Sequence, residues 1–338
     1  MNEIYPNIFQ IQVILPKSPL KELNCYVIKG SERSLIIDSG YNVEEAEESL
    51  FNGLNELEID LKKTDVFVTH FHEDHSALAC KLKNKNNKAF ISASDRQYIR
   101  NFGLIEYWES MLAVQKQIGF PEDQKLHYTS HPGYIGKPDK IIDYDIITPG
   151  EKLAVGDYIF TVLDLKGHTP GQLGLYEPTH KILFCGDCVL DRITPNINYW
   201  GPYLDCLGDF LGSLRMLRTL DIERAFTGHR KLSTNIYERI DQILAHHDKR
   251  LALSLEAIIK KKCTAFEVAS QIEWDYLGGD FLKFPAEQKW FAGNEMLAHM
   301  QHLQFVYPEV KKEEIDEVFY YSVTESLKHK GMLNSLFK

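Results

Sequence analysis

Five short apolar runs in the first 230 residues each end in an aspartate or a histidine. The runs have the length and the β-branched content of buried strands. A sheet whose strands end in polar side chains can bring those side chains together at one rim, even when they are far apart in the sequence. We therefore expect an α/β protein with a site at the edge of a sheet. The five runs are SLIIDSG, DVFVTH, LDLKGH, LFCGD and AFTGH.

The densest group of such side chains is the segment THFHEDHSA, residues 69–77. It contains His70, His72, Asp74 and His75, which follow an apolar strand and precede a helical pattern. Alternate residues of a strand share a face, so His70 and His72 can point the same way, whereas Asp74 and His75 can face a neighbouring point. Neutral imidazole and carboxylate groups are zinc ligands, and two such clusters this close indicate two metal ions.

Further residues of the right type occur later in the chain. They are His168 in KGHTPGQ, Asp187 in FCGDCV and His229 in TGHR. Two metal ions about 3.5–4 Å apart need a bridging ligand, which is usually a carboxylate. A lone histidine near a turn is most often an ordinary surface residue. Seven ligand-type residues at strand ends are better explained by a metal site.

These stretches resemble those of the metallo-β-lactamase superfamily, in the same chain order, over roughly residues 5–232. The matching elements are IDSG, the H-x-H-x-D-H block, GHTPG, GD and the final GH. The resemblance implies a four-layer αββα sandwich with a binuclear metal site at one edge. By position, it implies that His70, His72 and His168 bind one metal ion, that Asp74, His75 and His229 bind the other, that Asp187 bridges both ions and that Asp38 orients the ligand loop.

Two divalent metal ions, zinc before iron or manganese, would define the chemistry of such a site. A water molecule that bridges two zinc ions has its pKa lowered from about 15.7 to about 7, so hydroxide is present at neutral pH. The metals also polarise the scissile carbonyl or phosphoryl oxygen. Asp74 can accept a hydrogen bond from the bridging hydroxide, so we expect it to be the catalytic proton shuttle. The implied activity is metal-dependent hydrolysis of an ester, a thioester or a phosphodiester.

Two domains are expected, because 338 residues are many for a single core. Residues 1–232 form the catalytic domain, and a helical pattern over residues 98–145 is expected to be a cap over the site. The composition then becomes helical: a long amphipathic helix, a T-A-F-E capping box, a helix that starts at Pro285, and a strand in IDEVFYYSV. Residues 233–338 are therefore predicted to form a helical, winged-helix-like domain.

The motif also argues against two branches of the superfamily. It is not the H-x-E-x-D motif of flavodiiron oxygen reductases, and antibiotic-hydrolysing enzymes usually lack a histidine at the position of His75, so β-lactamase activity is not expected. The run ITPNINYW and the helical tail resemble the lactamase-β-like subgroup with a C-terminal winged helix, one mammalian mitochondrial member of which is a single-strand-specific endoribonuclease.

The charge of the tail argues against a nucleic-acid reader. Residues 245–338 contain 12 Lys and Arg against 14 Asp and Glu, whereas a winged helix that reads nucleic acid is normally basic. The glycine that usually occurs in the wing is also not evident. A packing, dimerisation or lid module is favoured, with His246 and His247 of the long helix expected to face solvent.

Four functions stay open at this point. The first is a zinc-dependent hydrolase of the lactamase-β-like subgroup. The second is a glyoxalase-II-like thioester hydrolase, which shares GHTPG and GD but normally uses a basic tail pocket that we do not find. The third is an iron-dependent persulfide dioxygenase, in which His70, His72 and Asp187 or their like hold one metal. The fourth is a non-enzymatic protein that binds nucleic acid through its winged helix.

Residues close to Asp187 offer two further interpretations. Tyr199 and Trp200 are predicted to line a substrate pocket, and packing in the core or the cap is an equal alternative. Cys185 and Cys188 flank Asp187 in a strand, not at a helix N-terminus, so buried structural thiols are favoured over a redox pair.

Composition limits the partners and the location. The net charge of −10 repels polyphosphate at long range, which argues against non-specific nucleic-acid binding. No window approaches the roughly 18 consecutive apolar residues of a membrane span, and the N-terminus lacks the features of a signal peptide. We expect a cytoplasmic protein with a small-molecule substrate and no membrane partner. Homodimerisation stays open.

Overall fold

The computed structural model describes residues 1–274 and 279–325, and the chain divides into two compact units. The predicted domain boundary after residue 232 and the predicted cap over residues 98–145 stay predictions. The first unit contains Met1–Ile105, Pro132–Pro195 and Ser213–Ile240; the second contains Glu106–His131, Asn196–Gly212 and the described part of Asp241–Lys338.

A seven-stranded mixed sheet forms the first half of the first unit. Its strands, in spatial order, are β1 (Asn2–Tyr5), β2 (Ile8–Ile14), β3 (Glu22–Ile28), β4 (Ser34–Ile37), β5 (Thr64–Phe67), β6 (Ala89–Ile91) and β7 (Asp145–Ile146). Strands β1 to β4 pair antiparallel, and NCYVIKG and SLIIDSG form a hairpin. Strands β4 to β7 pair parallel, so their carboxyl ends lie at the same edge.

A five-stranded sheet forms the other half of the first unit. Its strands are β8 (Lys152–Val155), β9 (Tyr158–Asp164), β10 (Leu173–Glu177), β11 (Ile182–Gly186) and β12 (Arg224–Thr227), in the spatial order β12-β11-β10-β9-β8. Strands β10 and β11 form an antiparallel hairpin. Because β9 and β11 each pair antiparallel with β10, and β12 pairs parallel with β11, these three strands run in one direction and end at one edge.

The two sheets share a hydrophobic core. Phe67 of the first sheet belongs to the same buried cluster as Phe160 and Phe184 of the second. Phe160 is fully buried, whereas its neighbour Ile159 is 56% exposed, as expected for a strand that packs one face against another sheet. The packed sheets therefore form a rigid base for the loops that follow their strand ends.

Some of the helices fall in predicted helical segments, namely those after the ligand block, within residues 98–145 and after residue 233. The segment HYTSHPGYIGKPD, whose composition predicts a loop, contains one short helix because a proline at the first helical position favours helix initiation. The helices are α1 (Glu44–Glu56), α2 (Glu73–Ser76), α3 (Ala79–Leu82), α4 (Ala93–Asn101), α5 (Ile105–Ile118), α6 (Pro132–Gly136), α7 (Cys206–Leu217), α8 (Ile236–Lys260), α9 (Ala265–Ala269) and α10 (Ala286–Val306), with 3-10 turns at Leu61–Lys63, Glu122–Gln124, Tyr128–Ser130 and Phe281–Lys283.

The second unit combines helices with a small antiparallel sheet. Helix α9 begins with the predicted capping box: Thr264 Oγ1 accepts a hydrogen bond from the Glu267 backbone amide, and the Glu267 side chain accepts one from the Thr264 amide. The predicted C-terminal helical region is thus confirmed, and its assignment as a winged helix stays a prediction. The sheet contains β13 (Cys263–Thr264), β14 (Val310–Ile315) and β15 (Val318–Val323), in the order β13-β15-β14.

The hairpin β14–β15 corrects the prediction of a single strand over IDEVFYYSV. Ile315 ends β14, and Asp316 and Glu317 form a two-residue turn with φ values of +50° and +65°. Two positive φ values are typical of the type I′ turn, which matches the twist of a hairpin and usually contains Asn or Gly. Strand β14 was missed because VKKEEI is charged, a composition suited to the exposed edge of a sheet.

Burial in the second unit overturns one expectation about the long helix. His247 is fully buried, with its ring 5.5 Å from that of Phe210 and 5.2 Å from that of His299, so the prediction that it faces solvent is wrong. All six cysteines are free and buried, as expected. Within the described ranges, no helix has the length and apolarity needed to cross a membrane.

Phe160→Ala should lower the free energy of unfolding of the first unit by about 3–5 kcal/mol, because it removes a buried ring shared by both sheets. Urea unfolding followed by circular dichroism measures this change. Ile159→Ala, on the exposed face of the same strand, is the control and should cost less than about 1 kcal/mol. Equal losses for the two variants would contradict the shared core.

Candidate metal centre

The predicted ligand residues of the first unit follow strand ends at one edge of the two sheets. Each lies within five residues of the end of its strand or in the short helix α2 that comes next. They are Asp38 after β4, His70 and His72 after β5, Asp74 and His75 in α2, His168 after β9, Asp187 after β11, and His229 after β12. Residues up to 191 positions apart in the chain are thus brought to one place.

The first group of ligand atoms comes from three histidines. His72 Nδ1 lies 3.1 Å from His70 Nε2 and 3.0 Å from His168 Nε2. Burial lowers the pKa of His72 to about 3, and burial together with the neighbouring imidazoles lowers the pKa of His70 well below its usual value. Both rings are therefore neutral, which is the form that binds a metal ion.

The second group contains one carboxylate and two histidines. His229 Nε2 lies 3.3 Å from His75 Nε2 and 3.3 Å from Asp74 Oδ2. Burial alone would raise the pKa of Asp74, but His75 and His229 outweigh it and hold the pKa at about 2. Asp74 is therefore ionised at neutral pH.

Asp187 lies between the two groups. Its carboxylate oxygens are 3.4 Å from His75 Nε2, 3.5 Å from His229 Nε2 and 3.9 Å from His168 Nε2. Burial would raise the pKa of Asp187, but His229 and His75 hold it well below its usual value, so the carboxylate is ionised. Its Oδ1 is buried and accepts no hydrogen bond from any residue in the described ranges. This is the placement expected of a bridging ligand.

The spacing of these atoms fits metal coordination. Zinc binds imidazole nitrogen at about 2.0–2.1 Å, so two nitrogen ligands of a tetrahedral site lie roughly 3.3 Å apart. The nitrogen–nitrogen separations of 3.0–3.3 Å in the two groups are close to this value. Each group can hold a divalent cation, and the ionised Asp187 supplies negative charge between the two positions.

Hydrogen bonds on the far side of two imidazoles fix their tautomers. His75 Nδ1 donates to Asp38 Oδ2 at 2.7 Å, and His229 Nδ1 donates to the Glu22 carbonyl at 2.7 Å. Because Nδ1 donates this hydrogen bond in each ring, Nε2 is the nitrogen that faces the centre. Asp38 also accepts hydrogen bonds from the Thr69 amide and hydroxyl, at 2.7 and 2.8 Å, next to His70.

Gly228 is required by the close approach of two strand ends. A β-carbon at this position would overlap Asp187 Oδ1 and lie 2.7 Å from His75 Cε1. The glycine of the final G-H pair therefore leaves room for Asp187 and His75 to approach each other. In this motif the glycine has a steric role, and the histidine is the candidate ligand.

Asp95 is a site residue that sequence reasoning missed. Its Oδ2 accepts hydrogen bonds from the Phe71 amide at 2.9 Å and from the Thr169 hydroxyl at 2.7 Å. Phe71 separates His70 from His72, and Thr169 follows His168, so one carboxylate joins both loops of the first group. In the sequence Asp95 belongs to an S-x-x-D pattern, in which Ser92 caps helix α4, and this local pattern gives no sign of the distant contacts.

The predicted substrate-pocket residues lie in the second unit. Tyr199 is buried, its amide donates to Asn294 Oδ1 at 2.9 Å, and its ring lies 6.4 Å from that of Phe319. Trp200, the next residue, is half-buried. These contacts show that Tyr199 packs within its own unit, and the role of both residues towards a substrate stays a prediction.

Two groups of ligand-type residues around one buried carboxylate, at the rim of two packed sheets, are the arrangement expected of a metal-dependent hydrolase. The model of the metallo-beta-lactamase superfamily matches residues 22–229. The chain belongs to this superfamily. Its members usually bind divalent metal ions, in agreement with the two groups of ligands.

Curated relatives carry hydrolase names. Acyl-coenzyme A thioesterase MBLAC2 of Homo sapiens is 27% identical over 221 residues, which cover 61% of this chain and 72% of that protein. Hydroxyacylglutathione hydrolase GloC of Haemophilus influenzae is 27% identical over 175 residues, which cover 52% of this chain and 69% of that protein. The protein is therefore an enzyme, a hydrolase of the metallo-β-lactamase superfamily.

Solved structures extend the likeness in fold beyond the superfamily domain. A metallo-beta-lactamase family protein from Thermus thermophilus superposes with a TM-score of 0.78 at 23% identity, over 95% of this chain and 100% of the other. A beta-lactamase domain protein from Burkholderia ambifaria gives a TM-score of 0.76 at 22% identity, over 96% of this chain and 94% of the other. The expected four-layer αββα metallo-β-lactamase fold is confirmed.

Asp95→Ala should weaken zinc binding by about 10- to 100-fold, because it removes the acceptor that aligns both loops of the first group. Competition with a chromophoric chelator measures the dissociation constant, and circular dichroism checks that the variant is folded. Asp143→Ala is the matched control, since the Asp143 side chain is 91% exposed. An unchanged zinc affinity in a folded Asp95→Ala protein would remove this role.

Proposed function

We propose that this protein is a zinc-dependent thioester hydrolase with a binuclear centre. The observation that carries the proposal is the position of Asp187, whose ionised carboxylate lies within 3.9 Å of histidines from both ligand groups. One cation at each group would share this carboxylate. His70, His72 and His168 would hold one ion, and Asp74, His75 and His229 would hold the other.

The choice of a thioester among the candidate substrates rests on the relatives. An acyl-coenzyme A thioesterase and a hydroxyacylglutathione hydrolase are both named for substrates in which an acyl group is linked to the sulfur of a larger thiol. An acyl thioester is therefore favoured over a phosphodiester, and the identity of the thiol is left to experiment.

The residues of the centre fit the chemistry of hydrolysis. Bound divalent ions would lower the pKa of a water molecule and polarise the thioester carbonyl. Asp74, ionised and next to both groups, accepts the proton when the water oxygen adds to the carbonyl carbon. As the carbon–sulfur bond breaks, the departing sulfur takes this proton, which leaves a carboxylic acid and a thiol.

The surrounding residues keep this machinery in position. Asp38 and the Glu22 carbonyl hold the Nδ1 protons of His75 and His229, so that neither ring can rotate without losing a buried hydrogen bond. Asp95 does the same for the loops that carry His70 and His168. The reacting groups therefore need little reorganisation during the reaction.

The proposed activity is tested with zinc-loaded protein and a chelated control, on a panel of acyl-coenzyme A, hydroxyacylglutathione, a lactone and an aryl phosphodiester. We expect thioester hydrolysis that is lost on chelation and restored by zinc. Hydrolysis of only the phosphodiester would reject the substrate class in favour of nuclease chemistry. Protein purified without added metal should contain two zinc ions per chain, whereas one iron ion per chain would favour a persulfide dioxygenase.

Asp74→Asn should lower kcat far more than it raises KM, because the amide cannot accept the proton that the attacking water releases. Steady-state kinetics at saturating zinc measures both constants, and metal analysis of the same sample separates lost chemistry from lost metal. Asp143→Asn serves as the control because its side chain faces solvent. An unchanged kcat with full metal content would remove the proton-transfer role.

A further inference from the structure

Helix α6 rests on two residues of the first unit through its two glycines. A β-carbon at Gly133 would overlap the carboxylate of Glu73, and a β-carbon at Gly136 would overlap the ring of Tyr41. Positions three residues apart lie on the same face of a helix. One face of α6 is therefore bare of side chains where it covers Glu73 and Tyr41.

This contact places the ring of Tyr41 near Glu73, the residue before Asp74. Neighbouring positions on a helix face are about 5–6 Å apart, so the atoms against Gly133 and Gly136 are also neighbours. The carboxylate of Glu73 is thus close to the Tyr41 ring, and Glu73 directly precedes the ligand Asp74. Tyr41 is half-buried.

The backbone on the N-terminal side of Tyr41 is fixed to the helix that carries the ligands. The Ser39 amide donates to the His75 carbonyl at 2.8 Å, and the Leu78 amide donates to the Gly40 carbonyl at 3.1 Å. Gly40 has a φ of +110°, a conformation that favours glycine, and the chain turns there immediately before Tyr41. The position of Tyr41 is therefore coupled to the position of His75.

The electrostatic surroundings keep the Tyr41 hydroxyl protonated. Burial, followed by the negative charges of Asp74, Glu73 and Asp187, raises the pKa of Tyr41 well above its usual value. A phenol in this state is a hydrogen-bond donor at any pH at which hydrolysis is measured. Among the ligand-type residues, the carboxylates only accept hydrogen bonds, and His75 and His229 use their Nδ1 protons for partners outside the centre.

We propose that Tyr41 is a further catalytic residue, whose hydroxyl donates a hydrogen bond to the acyl oxygen of the substrate as that oxygen becomes negatively charged. The role rests on the proposed thioester hydrolysis. When water adds to the carbonyl carbon, the π electron pair moves to the acyl oxygen and the water proton passes to Asp74. Tyr41 keeps its own proton throughout. When the carbon–sulfur bond breaks, the electron pair on the acyl oxygen forms the carbonyl π bond again, and the sulfur receives the proton from Asp74.

The first test compares Tyr41→Phe with wild type on phenyl thioacetate, a small thioester that needs no binding site for a large thiol. Loss of one oxyanion-hole donor costs about 10²–10³-fold in kcat, and because metal ions share the charge here we expect about 10- to 100-fold. The KM and the zinc content should change less than about twofold, since the substitution leaves the ring on Gly136. An unchanged kcat, or a loss explained by missing zinc, would overturn the proposal.

Tyr144→Phe is the matched control. Tyr144 is buried, and its hydroxyl lies 3.4 Å from the Ser76 carbonyl of the same helix α2. Burial is the main cause that raises the pKa of Tyr144, and Cys80 is the second. The carboxylates of the centre do not contribute to this shift. The same loss of one hydroxyl should therefore leave kcat within about twofold of wild type. An equal fall in both variants would mean that any lost tyrosine hydroxyl near α2 disturbs the enzyme, and would reject a specific role for Tyr41.

A binding measurement tests Tyr41 separately from turnover. Phenyl methylphosphonate is a stable tetrahedral anion that resembles the addition intermediate, and we expect its dissociation constant to rise about 10-fold or more in zinc-loaded Tyr41→Phe. Equal affinity for wild type and variant, or no binding to either, would reject the proposal. If wild type binds the phosphonate but hydrolyses no thioester, the proposed function fails while the donor role of Tyr41 is still measured.

A double-mutant cycle gives a second, independent test. Gly136→Ala introduces a β-carbon that overlaps the Tyr41 ring and must displace it or the helix. If both substitutions act through the Tyr41 hydroxyl, the double variant Tyr41→Phe/Gly136→Ala should be no slower than the slower single variant. Losses of kcat that multiply would show that the helix and the hydroxyl act separately, contrary to the proposal.

Discussion

The ionised carboxylate of Asp187 is the group on which the rest of the first unit depends. It is 5% exposed, and its Oδ1 accepts no hydrogen bond within the described ranges. A buried carboxylate in that state is costly unless positive charge lies beside it. Imidazoles from three different strand ends surround it, and the same arrangement leaves space for cations between carboxylate and imidazole. Thus the position of Asp187 connects the topology of the sheets to the chemistry of the enzyme.

The precision of the centre comes from residues that do not face it. Asp38 joins the end of β4 to His75 and to Thr69, Glu22 holds His229 through its carbonyl, and Asp95 joins the loops that carry the first group. Each connection crosses between segments that are distant in sequence, so the sandwich must be folded before the ligands align. This dependence explains why the centre lies on the ends of rigid strands.

The sequence was sufficient to predict which side chains meet at the rim, because each follows an apolar run in a motif that can be recognised locally; their role as metal ligands stays a prediction. Asp95 and Tyr41 could not be predicted in this way. Asp95 resembles an ordinary capping position, and the position of Tyr41 depends on a glycine 95 residues further along the chain. Strand β14 of the hairpin β14–β15 was not predicted for a similar reason. A charged edge strand and a turn without glycine lack the usual local signals.

The second unit shows why ligand-type residues alone do not define a metal site. His246, His247 and Glu295 also place ligand atoms close together in a buried setting. Here, however, the Arg250 Nε lies 2.9 Å from His246 Nε2 and 3.3 Å from Glu295 Oε1, so a guanidinium already supplies the positive charge. A divalent ion would have to displace it or bear the repulsion in a medium of low dielectric constant. In the first unit the ion-pair partners of Asp187 are imidazoles, which can lose a proton to bind a metal ion, whereas a guanidinium cannot.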